Sequence, residues 1–319
     1  KKLTGLIIAA PAEKTIQQKD DELEKLRAEI ARIKAENQTK PVEAFTLNPH
    51  TEAETRHVLI DVMLREAGWS LNGDNDTEYQ VQGMPNKTGI GYVDYVLWGD
   101  NGLPLAVVEA KNSIHDPRKG QQQAKLYADC LENHFGRRPL IFYTCGYDTW
   151  IWDDKQYPPR KVSGFYTKDE LEWTITKHNH KKLSDTKVNK EIAGRYYQEE
   201  ALKRVAATFD DKHRKALLVM ATGTGKTRTA IAFVDMMMNQ GWARRILFLA
   251  DRNALVIQAK NNFVKLMPNL SCADITKEKE NIANRMIFST YPTIVNKIDS
   301  EKINDLLVYS PGHFDLIII

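Results

Sequence analysis

Five apolar residues, Ala216 to Met220, run straight into Ala221-Thr222-Gly223-Thr224-Gly225-Lys226-Thr227, and the helical pattern Arg228-Thr229-Ala230-Ile231-Ala232 follows at once. A buried strand, a glycine turn and a helix that opens on Lys-Thr is an arrangement that few folds accommodate, and its chemistry is specific. The N–H groups at a helix N-terminus and the helix dipole attract phosphate. A lysine ammonium there reaches the terminal phosphates, and a threonine hydroxyl is placed to ligate Mg²⁺. Thr222, Gly223, Thr224, Gly225, Lys226 and Thr227 are therefore the expected nucleotide-binding residues, with Thr227 also a metal ligand. The bland reading is a Gly/Thr loop between a strand and a helix.

The general pattern G-x-x-x-x-G-K-[ST] fails here, because Met220 stands where its first glycine belongs. The shorter A-x-x-G-x-G-K-T fits, and it resembles motif I of superfamily 2 helicases and translocases. Composition permits that setting. At 319 residues, 42% hydrophobic and 27% charged, the chain can bury more than one core, and a net charge of +3 admits a nucleic-acid partner without requiring one. Cys130, Cys145 and Cys272 have no metal-type spacing and form no closed disulfide set, so a cytoplasmic setting is expected. No apolar run reaches membrane-spanning length, so no membrane partner is expected. The sequence opens on Lys1-Lys2 and stops within Leu316-Ile317-Ile318-Ile319, and it reads as a piece of a longer protein.

From Thr15 to Asn37 the apolar residues Ile16, Leu23, Leu26, Ile30 and Ile33 follow a heptad-like spacing, which serves a coiled coil or a single amphipathic helix equally. Thr51-Glu52-Ala53-Glu54 is a capping box, and the helix it opens stops at Gly68. Extended Glu78 to Gln82 precedes a hairpin of Tyr92 to Trp98 and Leu103 to Lys111 about the turn Gly99-Asp100-Asn101-Gly102. A helix over Pro117–Asn133 and strands at Leu140–Cys145 and Trp150–Trp152 complete an α/β unit. Between Gly164 and Ala193 the composition turns polar, which predicts a junction. Beyond it, strands at Ala216–Met220, Arg245–Ala250, Arg285–Thr290 and from Phe314 alternate with helices, the pattern of a mostly parallel sheet covered on both faces. The expected organisation is a helical segment over 1–40, a first α/β domain over 41–175 and a second over 176–319. Within the junction, His178-Asn179-His180 reads as solvated, as do the basic pairs Arg137-Arg138, Arg244-Arg245 and Lys181-Lys182. Met236-Met237-Met238 reads as core filling.

The hairpin carries charge where apolar residues belong. Asp94 sits among Tyr, Val, Leu and Trp, and Glu109 and Lys111 close a strand of Leu, Ala and Val. Burying such groups costs several kcal/mol unless they are paired or metal-bound. Residues 109 and 111 share one face, and hairpin pairing can bring Asp94 alongside. Two carboxylates with a backbone carbonyl suit Mg²⁺, and an adjacent lysine can activate water and stabilise a pentavalent phosphate. Taken alone, the same residues also fit a hairpin whose ends carry surface charge.

Glu54 on the preceding helix, and Gln123 and Tyr127 four apart on the following one, complete a set that resembles the PD-(D/E)xK nuclease core. Gln123-Ala124-Lys125-Leu126-Tyr127 resembles the extra motif of its RecB-like branch. The resemblance implies that Asp94 and Glu109 hold the metal, Lys111 assists catalysis, Glu54 supports the metal site, and Gln123 and Tyr127 contact DNA or brace the site. Val93 stands where the family often has proline. Glu54 is also fully explained by its capping position.

Gly194-Arg195-Tyr196-Tyr197-Gln198 resembles the superfamily 2 Q motif, which implies nucleotide contacts for Arg195 and Gln198; a glutamine amide matches both the N6 donor and the N7 acceptor of adenine. Leu249 to Gln258 resembles motif Ia and Phe288-Ser289-Thr290-Tyr291 motif Ib, which implies that Arg252, Ser289 and Thr290 touch the nucleic-acid backbone. Phe314 to Ile319 resembles the strand leading into motif II, whose acidic residues are not in the sequence, so weak ATP binding and poor hydrolysis are expected. The ordered combination, over about Thr51 to Ile319, closely resembles the restriction (R, HsdR) subunit of type I restriction-modification enzymes. That implies an ATP- and Mg²⁺-dependent endonuclease that translocates double-stranded DNA alongside methyltransferase (M) and specificity (S) subunits. A stand-alone helicase-nuclease of repair or phage defence, and a DNA remodeller with an inactive nuclease-like domain, fit the same motifs.

Overall fold

The structure is a computed structural model that describes residues 59–73, 75–111, 117–277, 284–298, 302–304 and 306–319. The chain divides into two units, Lys1–Asn48 and Pro49–Ile319. The helical segment expected over 1–40, the capping box at Thr51 and Glu54 lie outside the described residues.

Two sheets organise the second unit. The first begins with helix α1 (Asp61–Glu66), which ends where Gly68 takes φ +86°, as its sequence predicts. Strands β1 (Thr77–Gln82), β2 (Ile90–Trp98), β3 (Pro104–Ala110), β4 (Leu140–Thr144), β5 (Thr149–Trp152) and β6 (Arg160–Val162) then lie side by side in chain order. Every pair is antiparallel except β3 with β4, which are parallel because helix α2 (Gln121–Phe135) carries the chain back between them. A strand covered on both faces reads as a continuous apolar run, and β3 is buried at every residue. On one side Ala106, Val108 and Ala110 pack with α1 and with Leu171 of helix α3 (Lys168–Thr176). On the other, Val107 packs with Ala124 and Tyr127 of α2.

Helix α3 falls inside the stretch expected to be a polar junction. Its signal is nonetheless present, because Thr167 and Glu170 form a reciprocal capping box.

The second sheet has the order β12-β7-β9-β8, all parallel, from β7 (Ile246–Ala250), β8 (Cys272–Asp274), β9 (Met286–Thr290) and β12 (Leu316–Ile318). Helices α4 (Tyr196–Asp210), α5 (Lys226–Asn239) and α6 (Asn253–Leu266) supply one core, into which Met236 and Met237 are buried. Helix α7 (Tyr291–Ile298) and the segment 308–314 cover the other face, and a two-stranded ribbon, β10 (Lys302–Ile303) with β11 (Leu306–Leu307), stands apart from both sheets.

Ala216–Met220 departs from expectation. It belongs to no strand, and Leu217 and Val219 are 89% and 85% exposed. Apolar composition makes a segment fit to be a buried strand, but a strand forms only against a neighbour. Among the described residues none pairs with this one.

The two sheets meet at a polar seam. The Asp315 side chain, 3% exposed, accepts from Trp173 Nε1 (2.6 Å) and Lys177 Nζ (2.8 Å) on one oxygen, and from the Arg244 (2.8 Å) and Arg245 (3.1 Å) backbone N–H groups on the other. Both arginines also pair with Asp169, and Arg244 lies 5.0 Å over the Trp173 ring. His180 packs between Trp173 and Trp242, and His178 Nε2 lies 2.8 Å from Asp153. Arg138 is likewise buried among Asp129, Glu132 and Asp154. These charged residues, expected to be solvated, are structural, because acidic partners distant in sequence meet them.

Seam electrostatics set an acid limit. Burial, then the charge of Arg245, lowers the pKa of His313 from 6.5 to about 4. Burial alone would raise Asp315 and Asp169, but their cationic and N–H partners outweigh it and hold both below the usual carboxylate value. The unfolded chain binds the His313 proton more readily, so this stabilisation is full above pH 6.5 and is lost as pH falls toward 4. The contribution of the two aspartates goes at lower pH still. Thermal melts between pH 8 and 4 should show stability falling below 6.5 in the wild type and a flatter profile over the same window in His313→Leu.

Candidate functional site

At the hairpin, the alternation of β2 slips by one residue. Val93 packs under α2, Tyr95 in the opposite core and Val96 under α2 again. The β1–β2 pairing skips Asp94, and Glu78, which the register sets against it, has φ +50°. Such irregular steps re-aim side chains. Here the step brings the Asp94 carboxylate onto the next strand, where Oδ2 accepts the Ala110 backbone N–H at 2.7 Å, just past the last β2–β3 pair. Asp94 is 9% exposed and Glu109 is 2% exposed.

Glu109 and Lys111 lie two residues apart at the end of β3, and Lys111 Nζ donates to Glu109 Oε1 at 2.5 Å. The Lys111 backbone N–H continues the ladder to the Thr144 carbonyl at 2.8 Å. From α2, Gln123 Nε2 donates to the Tyr127 hydroxyl at 2.7 Å. Burial raises the Tyr127 pKa; the Gln123 bond and Lys111 oppose this, while Glu109 and Asp94 raise it further. Asp94, Glu109 and Lys111 thus meet at the end of β3, and the bonded pair Gln123 and Tyr127 lies on the helix that packs against that strand.

Glycines permit this approach, and sequence reasoning missed them. A Cβ on Gly91 would meet Tyr127 Cε1 at 2.7 Å, and one on Gly120 would meet Glu109 Cγ at 3.0 Å. A glycine inside a strand is a recognised sign of close approach, and Gly91 in β2 was that signal. Among the described residues no three His, Cys, Asp or Glu side chains form a metal cluster. Asp94 and Glu109 nevertheless supply the hard oxygen donors that a divalent cation such as Mg²⁺ requires.

The second site is the loop before α5. Gly223 and Gly225 take φ +76° and +91°, and α5 starts at Lys226. Thr222 and Gly223 are exposed and Thr224 and Thr227 partly so, leaving the helix N-terminus open to an anion. Lys226 Nζ rests 3.4 Å from the Met220 carbonyl. Arg195 is exposed beside this loop and donates to the Tyr197 hydroxyl at 2.7 Å. Gln198, expected to meet adenine, is instead buried. Its Oε1 accepts the Arg195 N–H (3.3 Å), and its Nε2 donates to the Thr224 (3.2 Å) and Gly225 (3.4 Å) carbonyls.

Of the expected nucleic-acid contacts, Arg252 is exposed at the start of α6, 3.4 Å from Asp251. Ser289 and Thr290 differ from expectation. β9 runs straight into α7, so Ser289 is fully buried with Oγ on the Thr290 carbonyl (3.0 Å), and the Thr290 hydroxyl pairs with that of Thr293 (2.9 Å).

Residues 77–160 match the family described as type I restriction enzyme R protein N terminus, and residues 191–319 match the type III restriction enzyme res subunit family. The endonuclease subunit of the type I restriction enzyme EcoAI of Escherichia coli is 30% identical over 86% of this chain and 36% of its own length. That of EcoKI, from strain K12, is 29% identical over 67% of this chain and 23% of its own. A solved fragment of an HsdR subunit of a type I restriction enzyme from Vibrio vulnificus is 25% identical, covering 78% of this chain and 48% of its own, with a TM-score of 0.34. The chain thus spans about a third or less of the curated relatives it matches. With the N-terminal R-protein family in its first half, the res-subunit family in its second, and both type I endonuclease subunits aligning across them, the chain belongs to the R-subunit family of type I restriction enzymes.

Proposed function

We propose that this chain carries the cleavage centre and the first half of the ATP site of a motor endonuclease that translocates double-stranded DNA and cuts it. The observation that carries the reading is the meeting of Asp94, Glu109 and Lys111 at the end of β3, beside the helix that carries the bonded pair Gln123 and Tyr127. In this reading 41–175 is the nuclease domain and 176–319 the first motor domain. Asp94 and Glu109 hold Mg²⁺, with Glu54 in support, and the bound ion supplies Lewis-acid polarisation of the scissile phosphate. Lys111 holds its ammonium where negative charge develops on that phosphate and orients the attacking water. Gln123 fixes the Tyr127 hydroxyl, and the pair braces the lysine and carboxylates against DNA.

Thr222 to Thr227 cradle the nucleotide phosphates, with Lys226 on the terminal phosphates and the Thr227 hydroxyl toward the accompanying Mg²⁺. Arg195 lies at the edge of this cradle. Arg252, exposed after β7 on the edge of the sheet where ligands of parallel sheets bind, is the residue best placed to touch a DNA phosphate. The partners are DNA and the methyltransferase and specificity subunits, in the cytoplasm. No described helix is long and apolar enough to cross a membrane.

Three outcomes follow for the full-length subunit in its complex. Asp94→Ala and Lys111→Ala should each abolish DNA cleavage while ATP hydrolysis continues; cleavage at the wild-type rate would reject the nuclease assignment. Lys226→Ala should remove ATPase activity and translocation together, and retention of either would reject the motor assignment. Gly91→Ala puts a Cβ 2.7 Å from Tyr127 Cε1 and 2.9 Å from Met84 Cγ, so this packing must shift, and cleavage should fall about 10-fold or more at intact ATPase activity, since small misplacements of reacting groups carry penalties of that order.

A further inference from the structure

A loop that binds phosphate must present N–H groups and keep its carbonyl oxygens turned away, because those oxygens repel the anion. Three loop carbonyls have identified partners. The Ala221 oxygen accepts the Thr224 hydroxyl at 2.6 Å. The Gly225 oxygen accepts the Thr229 N–H at 3.0 Å and its hydroxyl at 3.2 Å. These two are held largely from within the loop and α5. The Thr224 oxygen differs, because both its donors come from α4: the Tyr197 hydroxyl at 2.9 Å and Gln198 Nε2 at 3.2 Å.

The donor geometry is fixed in turn. Arg195 Nη1 donates to the Tyr197 oxygen, which commits the phenol proton to the Thr224 carbonyl. Gln198 is fixed by its bond to the Arg195 N–H, and the fit is tight enough that a Cβ on Gly225 would lie 2.6 Å from Gln198 Nε2. Tyr197 and Gln198 thus donate to the loop carbonyls and accept from Arg195, so each of their polar atoms has a partner within this motif.

We propose that Tyr197 is a positioning residue for the phosphate loop: with Gln198 it holds the Thr224 carbonyl away from the anion, so the pair supports recognition of a triphosphate whatever base it carries. The inference rests on reading 221–227 as a nucleotide-phosphate site and deepens it. It separates affinity for phosphate, set by α4 through the loop backbone, from selection of the base, which falls to other groups.

The test compares wild type and Tyr197→Phe in the full-length subunit, using calorimetric binding of ATP, GTP and inorganic tripolyphosphate, each with Mg²⁺. Loss of one hydrogen bond to the loop should weaken all three by the same factor, roughly 3- to 10-fold, with an unchanged melting curve. Weakening confined to ATP would mean that the motif reads the base and would overturn the proposal, as would unchanged binding of all three ligands. Gln198→Glu, which replaces the donor by an acceptor, should also weaken all three, and an effect on ATP alone would again overturn the proposal. If the wild type binds none of the three, the phosphate-site reading itself fails, and the inference with it; wild-type binding that Tyr197→Phe leaves intact rejects the inference alone.

Discussion

A carboxylate removed from water is costly to the fold unless every lone pair finds a donor, and Asp315 meets that condition with donors from two directions. Trp173 and Lys177 approach from the α3 side, and the Arg244 and Arg245 N–H groups from the turn into β7. The bonds are therefore also a joint. Leu171 of α3 packs on the β3 face opposite Glu109, and Asp315 immediately precedes β12. The one helix α3 is thus packed on β3 and bonded to the residue that opens β12, which ties the two sheets through closely packed elements. Removing the Asp315 carboxylate would leave Lys177, the Trp173 indole N–H and the Arg244 and Arg245 backbone N–H groups without this acceptor.

Both sites depend on something subtler than the presence of charged residues. Asp94 reaches β3 because the pleat slips at its position, opposite a β1 residue in the left-handed region. In the glycine loop before α5, a helix outside the loop, α4, holds the Thr224 carbonyl. In each case a second element supplies the accuracy that the local motif lacks.

How far the sequence anticipates this depends on the range of the interaction. The glycine loop, the start of α5, the hairpin and the four-residue spacing of Gln123 and Tyr127 are local patterns, and they stand in the fold where the spacing put them. What escaped was non-local. The sequence shows that Ala216–Met220 is apolar, but not that no described strand lies beside it. Ser289 and Thr290 carry hydroxyls suited to a phosphate, yet the direct passage of β9 into α7 buries them. Arg138 and Arg244 look like surface charge until Asp154, Asp169 and Trp173 arrive from elsewhere in the chain. The α3 capping box was legible and was masked only by the polar composition around it.

The unpaired Ala216–Met220 also bears on how the chain behaves as a material. An exposed apolar pentapeptide that no described strand pairs with and β12, an edge strand among the described residues, are two surfaces open to a β-partner from a second molecule. Edge-to-edge association at high concentration is the expected behaviour of such surfaces, and a lysine at the exposed Leu217 or Val219 limits it.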